Sequence, residues 1–327
     1  MKRLNLIALT LSMPLAVMAQ TTVFNDTFTS GSDTLNVAPV APTSSYTGWE
    51  NVSQKNSTSS SINTGDFRYT LAASTSSAIN EAQALFTSTP VSLSSAGQSI
   101  SLEVVFTDNG GTILNGSGSY VYDGLYNAGQ VAPLSGLANA GIATYVAGGA
   151  NGWHGFIGRS GSSATTSASA DSIVARYAQT GTATGNQAVL ANNASSGLGV
   201  NPIGVILGSG AASGTFASAG VYTMYLNIAL TGTGETITSD IYSGSGIGGA
   251  LVSGTTASVL STDAANYVTT FDGLAFGFRH ANASANITPI MDVNQVLVIA
   301  DVPEPASAVM FGFGALALAM SYRRIRR

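Results

Sequence analysis

Between Thr21 and about Ala300, apolar and polar residues alternate in short runs separated by clusters of Gly, Ser, Asn and Thr, and no stretch carries the spacing of a long amphipathic helix. Alternation at period two sends successive side chains to opposite faces, so each run reads as a strand with one face against a core. In "SISLEVVFTDNGG", Ile100, Leu102, Val104 and Phe106 share a face, and Asp108-Asn109-Gly110-Gly111 supplies a turn. "VYTMYLNIALTGTGETITSDIYSG" predicts two strands around a turn at Thr231-Gly232-Thr233-Gly234. "FDGLAFGFRHA" and "IMDVNQVLVIA" predict two more. "FRYTL", "QALFTS", "YVYDGLYN", "GFIGRS" and "IVARYAQ" are weaker runs of the same kind, so at least nine strands are expected.

That many short strands point to an all-β fold, an antiparallel two-sheet sandwich of the jelly-roll type, because each sheet must bury one face. One domain over residues 20–300 accounts for the pattern. Residues 161–220, with "SGSSATTSASADS" and "GSGAASGTFASAG", are the least regular and read as long loops at one end of the sandwich or as a flexible insertion. No fixed-period repeat indicates a solenoid or propeller.

Both ends break the pattern. Residues 1–19 have a basic start at Lys2 and Arg3, an apolar stretch from Leu4 to about Val17, and small residues at Val17 and Ala19. This is the layout of a secretory signal peptide cleaved between Ala19 and Gln20, which implies handling by the Sec export machinery. At the other end, Ala306 to Tyr322 carries no charge, and a helix over 306–322 would span about 25 Å. Arg323, Arg324, Arg326 and Arg327 follow it and would stay on the cytoplasmic side, leaving the body exported and held by one C-terminal anchor.

Composition sharpens this picture in two ways. Charged residues are 8% of the 327 and cysteine is absent, which removes disulfides, thiolate metal sites and cysteine nucleophiles together. Between residues 20 and 302 stand fifteen carboxylates against only Lys55, Arg68, Arg159, Arg176 and Arg279, a formal charge of −10. A duplex-binding surface needs the opposite sign, so nucleic acid is excluded as an expected partner.

Just ahead of the apolar run, Pro303 and Pro305 cannot continue a helix and hold Val302 and Glu304 extended, a conformation that a membrane-embedded protease can grip. Val302-Pro303-Glu304-Pro305, the apolar helix and the arginine tail, together residues 301–327, are similar to the PEP-CTERM sorting signal of bacterial exported proteins. The resemblance implies an exosortase-type membrane protease as partner, and delivery from an inner-membrane intermediate to the cell surface or extracellular matrix. The body resembles the concanavalin A-like, laminin-G-like jelly rolls that often precede such tails. That likeness runs through "VFNDTFTSG", "NGWHGFIGRSG", the long hairpin and "FDGLAFGFRHANASANITPIMDVNQVLVI". It implies a fold and no particular function.

Chemistry is sparse. A glycan hydrolase needs two carboxylates across the scissile bond, and jelly-roll glucanases carry them as Glu-x-Asp-x-x-Glu or a close variant, which this sequence lacks. Glu103 with Asp108 is the nearest approach, and a surface carboxylate and a turn-capping Asp are the commoner reading of that pair. His154 and His280 show no second ligand at metal spacing. Trp153 and His154, in a glycine-bracketed segment, are the candidate glycan contact, although filling a core gap is the commoner use of a loop tryptophan. Jelly rolls of this kind sometimes hold calcium at loop ends. Asp108 with Asn109, or Asp26 with Asn25, are of the right type, and no ligand set is assigned.

The expected function is therefore a non-enzymatic exported protein of the cell surface or matrix, structural or weakly binding extracellular polysaccharide, with no cofactor. The alternative is a secreted carbohydrate-active enzyme, hydrolase or lyase, whose acid and base come from residues far apart in sequence.

Overall fold

The computed structural model of the chain describes residues 20–29, 49–54, 59–70, 78–109, 113–114, 119–133, 149–161, 171–178, 189–190, 204–210, 216–280 and 288–302. Thr21–Ala300 is one compact unit, and Met1–Gln20 with Asp301–Arg327 forms a second. The expected signal peptide, the helix over 306–322, the proline pair and the arginine tail lie outside the described residues. Among the described residues no helix is long and apolar enough to cross a membrane.

In chain order the strands are β1 (Gln20–Asp26), β2 (Glu50–Gln54), β3 (Ser59–Asn63), β4 (Asp66–Thr70), β5 (Ala78–Leu85) and β6 (Val91–Ser92). Next come β7 (Ser99–Asp108), β8 (Tyr120–Asn127), a short 3-10 turn at Gly149–Gly152, β9 (His154–Gly161), β10 (Ser172–Arg176) and β11 (Gly204–Ser209). The last third holds β12 (Gly220–Leu230), β13 (Gly234–Ser243), β14 (Leu251–Leu260), β15 (Thr270–Phe271), β16 (Gly273–His280) and β17 (Ile290–Asp301). One sheet has the order β14-β13-β12-β7-β17-β4-β3, with β1 also on β17. A seven-stranded sheet has the order β11-β10-β9-β8-β16-β5-β2, and β15 pairs with β6. The seven-stranded sheet is antiparallel throughout.

The strands expected from alternation are present, and the β12–β13 hairpin closes as its turn sequence predicts. Thr231 N–H donates to Gly234 O at 2.7 Å, and the Thr231 hydroxyl accepts the Gly234 N–H at 3.0 Å. The turn after β7 is different in kind. β7 lies between β12 and β17, whereas β8 lies between β9 and β16, so the chain crosses from one sheet to the other there instead of folding back as a hairpin.

Between the sheets lies an aromatic core. Phe67 and Tyr69 of β4 face Phe276 and Phe278 of β16, with ring centroids 5.8 Å apart for Phe67–Phe276 and 6.2 Å for Tyr69–Phe278. Trp49, just ahead of β2, packs edge-on against Phe276 at 5.1 Å. Its position is fixed by Asp26, which accepts the indole N–H at 2.9 Å and the Phe28 backbone N–H at 2.8 Å. Ile100, Leu102, Val104, Leu226, Ile228 and Ile237 extend the same layer and are all fully buried. At β9 the sheets approach so closely that a Cβ on Gly158 would collide with the side chains of Asp123 and Ser239.

One expectation changes. Each sheet was expected to bury one face, yet β8, β10 and β16 are buried along their whole length apart from Asn127. The middle of the seven-stranded sheet is covered on both sides, because Ala128, Ala132, Ala150, Trp153, Val189 and Leu190 form a second apolar cluster with Leu85, Tyr126, Ile157 and Val174 of its outer face.

Candidate functional site

Register assembles a polar row across that outer face. Glu81 of β5 stands opposite Gly277 of β16, Gly277 opposite Tyr122 of β8, Tyr122 opposite Arg159 of β9, and Arg159 opposite Ser172 of β10. The next row places Arg279 opposite Tyr120. Two rows the other way, Tyr126 is opposite Gly155, and Gly155 opposite Arg176. Strand alternation therefore sends three tyrosines, three arginines and a glutamate to one side, away from the aromatic core. Gly124 opens this face to the Tyr126 ring, which lies where a Cβ would be.

The two ends of the face are built differently. At one end Glu81, fully buried, accepts N–H bonds from Val189 at 2.6 Å and Leu190 at 3.0 Å, and from the Gln83 amide at 2.5 Å. Burial pushes its carboxyl up to about 7, against the opposing pull of those donors and of Arg176. Burial likewise lowers Arg176 to about 10, and its guanidinium donates to the carbonyl of Trp153. At the other end the guanidinium carbons of Arg159 and Arg279 lie 4.7 Å and 5.7 Å from the centre of the Tyr120 ring.

The residues singled out by sequence do not converge on one place. Trp153 is fully buried, tilted against Tyr126 at 5.7 Å, and its indole N–H donates to Val131 O at 2.8 Å. The ring fills the second apolar cluster, and a sugar could stack on it only after that cluster opened. His154 opens β9 half-buried, and its pKa is lowered by burial and by Arg176. His280 ends β16, buried. Glu103 and Asp108 are five residues apart on β7, which puts them on opposite faces about 17 Å apart along the strand, too far and wrongly directed to act as a pair. Glu103 stands opposite Tyr225, while the Asp108 carboxylate accepts the Ile113 N–H at 3.2 Å. Gln20 opens β1, and Val302 follows the end of β17.

Several of the oxygens suggested for calcium accept hydrogen bonds within the chain. One Asp26 oxygen accepts the Trp49 indole N–H and the other the Phe28 N–H, and Asn25 accepts a bond from the Gln295 amide at 2.8 Å. Asn109 donates to Asp292 at 2.6 Å. Among the described residues no group of three or more His, Asp or Glu is placed to hold a metal ion.

Sequence reasoning missed Glu81, Tyr120, Tyr122, Arg159, Ser172 and Arg279 as a group, because strand pairing alone brings them together. It also missed Glu50 of β2, which stands opposite Gln83 and so diagonal to Glu81 on the same face. The arrangement can hold a polar ligand between arginine donors and tyrosine rings, and it sets one carboxyl at a pKa near neutrality.

Fold and site define a two-sheet antiparallel β-sandwich with the middle of one sheet covered on both faces. Residues 301–324 match the PEP-CTERM protein-sorting motif. That motif implies export, membrane-anchored processing and an exosortase as processing enzyme. No curated protein sequence matches the chain. Among solved structures, the chain is similar to lectin I-B4 from Griffonia simplicifolia, with 11% identity, 77% of this chain and 94% of that chain covered, and a TM-score of 0.36. The seed lectin of Lotus tetragonolobus gives 10%, 78%, 95% and 0.38. An endo-1,3-beta-glucanase from Streptomyces sioyaensis gives 13%, 89%, 100% and 0.41. These neighbours are lectin-like sandwiches at low identity, and the architecture stands on the strand pairing itself.

Proposed function

We propose that this chain is a non-enzymatic exported protein of the cell surface or extracellular matrix, entering the Sec pathway through residues 1–19 and acting structurally or by weak glycan binding. The sorting motif over residues 301–324 carries the reading. The use of the body's carboxylates supports it. Asp26, Glu81, Asp108 and Asp272 each accept backbone N–H groups and pin segments of chain. Deleting Val302–Arg327 tests it. β17 ends at Asp301, so the body should fold unchanged while the protein loses its surface destination. Unaltered surface attachment after that deletion refutes the sorting reading.

One observation favours a second reading, a carbohydrate-active enzyme. Glu81 and Glu50 share a face on adjacent strands, and the Glu81 carboxyl, pushed up to about 7, has the pKa of a general acid. A polysaccharide panel assayed for released reducing ends discriminates. Turnover abolished by either Glu50→Gln or Glu81→Gln establishes the enzyme and removes the non-enzymatic reading.

A further inference from the structure

We infer that the Arg159 end of the outer face is a binding site for the carboxylate of an acidic sugar, a uronate borne on an extracellular polysaccharide; this rests on the glycan-binding reading above and names its ligand class. Arg159 is 2% exposed, yet its Nε and Nη2 have no hydrogen-bond partner. A buried guanidinium with open donors is unfavourable unless an acceptor is supplied. Ser172, directly opposite on β10, is also fully buried with its Oγ unpartnered. An open charged donor edge and an open hydroxyl thus face the same place.

The edge in question is specific. Nε and Nη2 form the side of a guanidinium that gives two parallel N–H bonds to the two oxygens of a carboxylate. The same chain shows that geometry at Arg68, whose Nε and Nη2 donate to the two oxygens of Asp292 at 2.6 Å and 2.7 Å. At Arg159 the edge is present and the carboxylate is missing. Among the described residues none is supplied. Glu81 is held by Val189, Leu190 and Gln83, and Asp171 accepts the Gly161 N–H at 3.1 Å. Among the described residues no carboxylate pairs with Arg159, and the segments 110–118, 162–170 and 281–287, which border this end in sequence, contain no Asp or Glu.

Two further features suit a sugar-borne anion. Arg159 and Arg279 both approach the Tyr120 ring, so positive charge is concentrated at this end of the face, where an anion is favoured. Tyr122, its ring centroid 5.7 Å from that of Tyr120, is buried beside the charges and would give an apolar face to the C–H face of a pyranose once the site opens. Arg159 and Ser172 are sealed in this conformation, so entry requires local opening and association is slower than a diffusional encounter.

The test is calorimetric titration of the full chain in mild detergent with trigalacturonate, maltotriose, sodium acetate and sodium sulfate at matched ionic strength. Trigalacturonate should bind saturably, and Arg159→Gln should weaken it about tenfold or more. Arg68→Gln, which removes the same charge from the other sheet, should leave it unchanged. If Arg159→Gln fails to fold, the wild-type chain still decides, because trigalacturonate must raise its unfolding midpoint while maltotriose does not. Undiminished binding by a folded Arg159→Gln chain overturns the site. So does the absence of trigalacturonate binding, and retained binding of neutral glycans in that case leaves the broader glycan reading standing. Acetate or sulfate binding as tightly as the trimer overturns the sugar-borne ligand.

Discussion

Glu81 gives a sandwich whose stability should rise as the solution is acidified. Its carboxyl is fully buried and pushed from the ordinary 4.5 up to about 7, so the folded chain holds that proton more tightly than the unfolded chain does. The stabilisation from a raised carboxyl is complete below about pH 4.5 and is lost as the pH climbs through 7. Two and a half pKa units correspond to about 3 kcal/mol between those limits. Glu103, Asp123, Glu235 and Asp240 are all raised by burial and act in the same direction. Urea denaturation of residues 20–302 at pH 5, 6, 7 and 8 measures the wild-type trend, and Glu81→Gln isolates one contribution. Glutamine stays neutral but keeps one accepting oxygen, so either the Val189 or the Leu190 N–H is left open. The variant should therefore be about 1–3 kcal/mol less stable at pH 5. At pH 8, where wild type has lost its proton-linked stabilisation, the two should converge. A wild-type stability that is flat or falls from pH 8 to pH 5 refutes the reasoning, as does a Glu81→Gln variant that keeps the full pH dependence.

Three other outcomes follow from single contacts. The Tyr69 hydroxyl is buried among Phe67, Phe276 and Phe278 without a hydrogen-bond partner, so Tyr69→Phe should stabilise by about 1 kcal/mol in urea denaturation, and a clear loss contradicts the geometry. Asp272 accepts the Ala128 N–H at 2.5 Å, the Gln130 N–H at 2.7 Å and the Gln130 amide at 2.9 Å. Asp272→Ala should cost about 3 kcal/mol and speed hydrogen exchange at residues 128 and 130, whereas unchanged exchange there would show that the carboxylate does not hold this segment. Gly158→Ala should cost about 1–3 kcal/mol because Asp123 and Ser239 occupy the space, while Gly232→Ala, with nothing within 4 Å, should be near neutral; equal effects at the two sites refute the close approach of the sheets.

The strands that sequence made legible are those whose apolar residues are large and confined to alternate positions, such as β7, β12 and β17. β14 was missed although its last six residues alternate inward and outward, because Thr255 and Ala257 point in while Thr256, Ser258 and Leu260 point out. A threonine and an alanine inside, with valine as the one larger apolar residue, and a leucine outside weaken the contrast on which the period depends. β11 was missed for a related reason. It lies in the stretch expected to be irregular, and it is an edge strand whose Val205 and Ile206 are both exposed. The outer-face row was illegible in principle. Glu81, Tyr122, Arg159, Ser172 and Gly277 come from five strands, and only the order β10-β9-β8-β16-β5 makes them neighbours.

Charge is where composition and structure diverge most. The body between residues 20 and 302 carries a formal charge of −10. Ten of the body's carboxylates, Asp26, Glu50, Glu81, Glu103, Asp108, Asp123, Asp171, Glu235, Asp272 and Asp292, are buried, together with Arg159, Arg176 and Arg279. Burial pushes several of those carboxyls toward their neutral form, so the charge presented to a passing molecule is smaller than the formula implies. Repulsion of polyanions is thus weaker than the formal charge alone would give. An acidic polysaccharide would meet a hydroxyl-rich exterior of reduced charge, and the buried Arg159 edge is the partner inferred for its carboxylates.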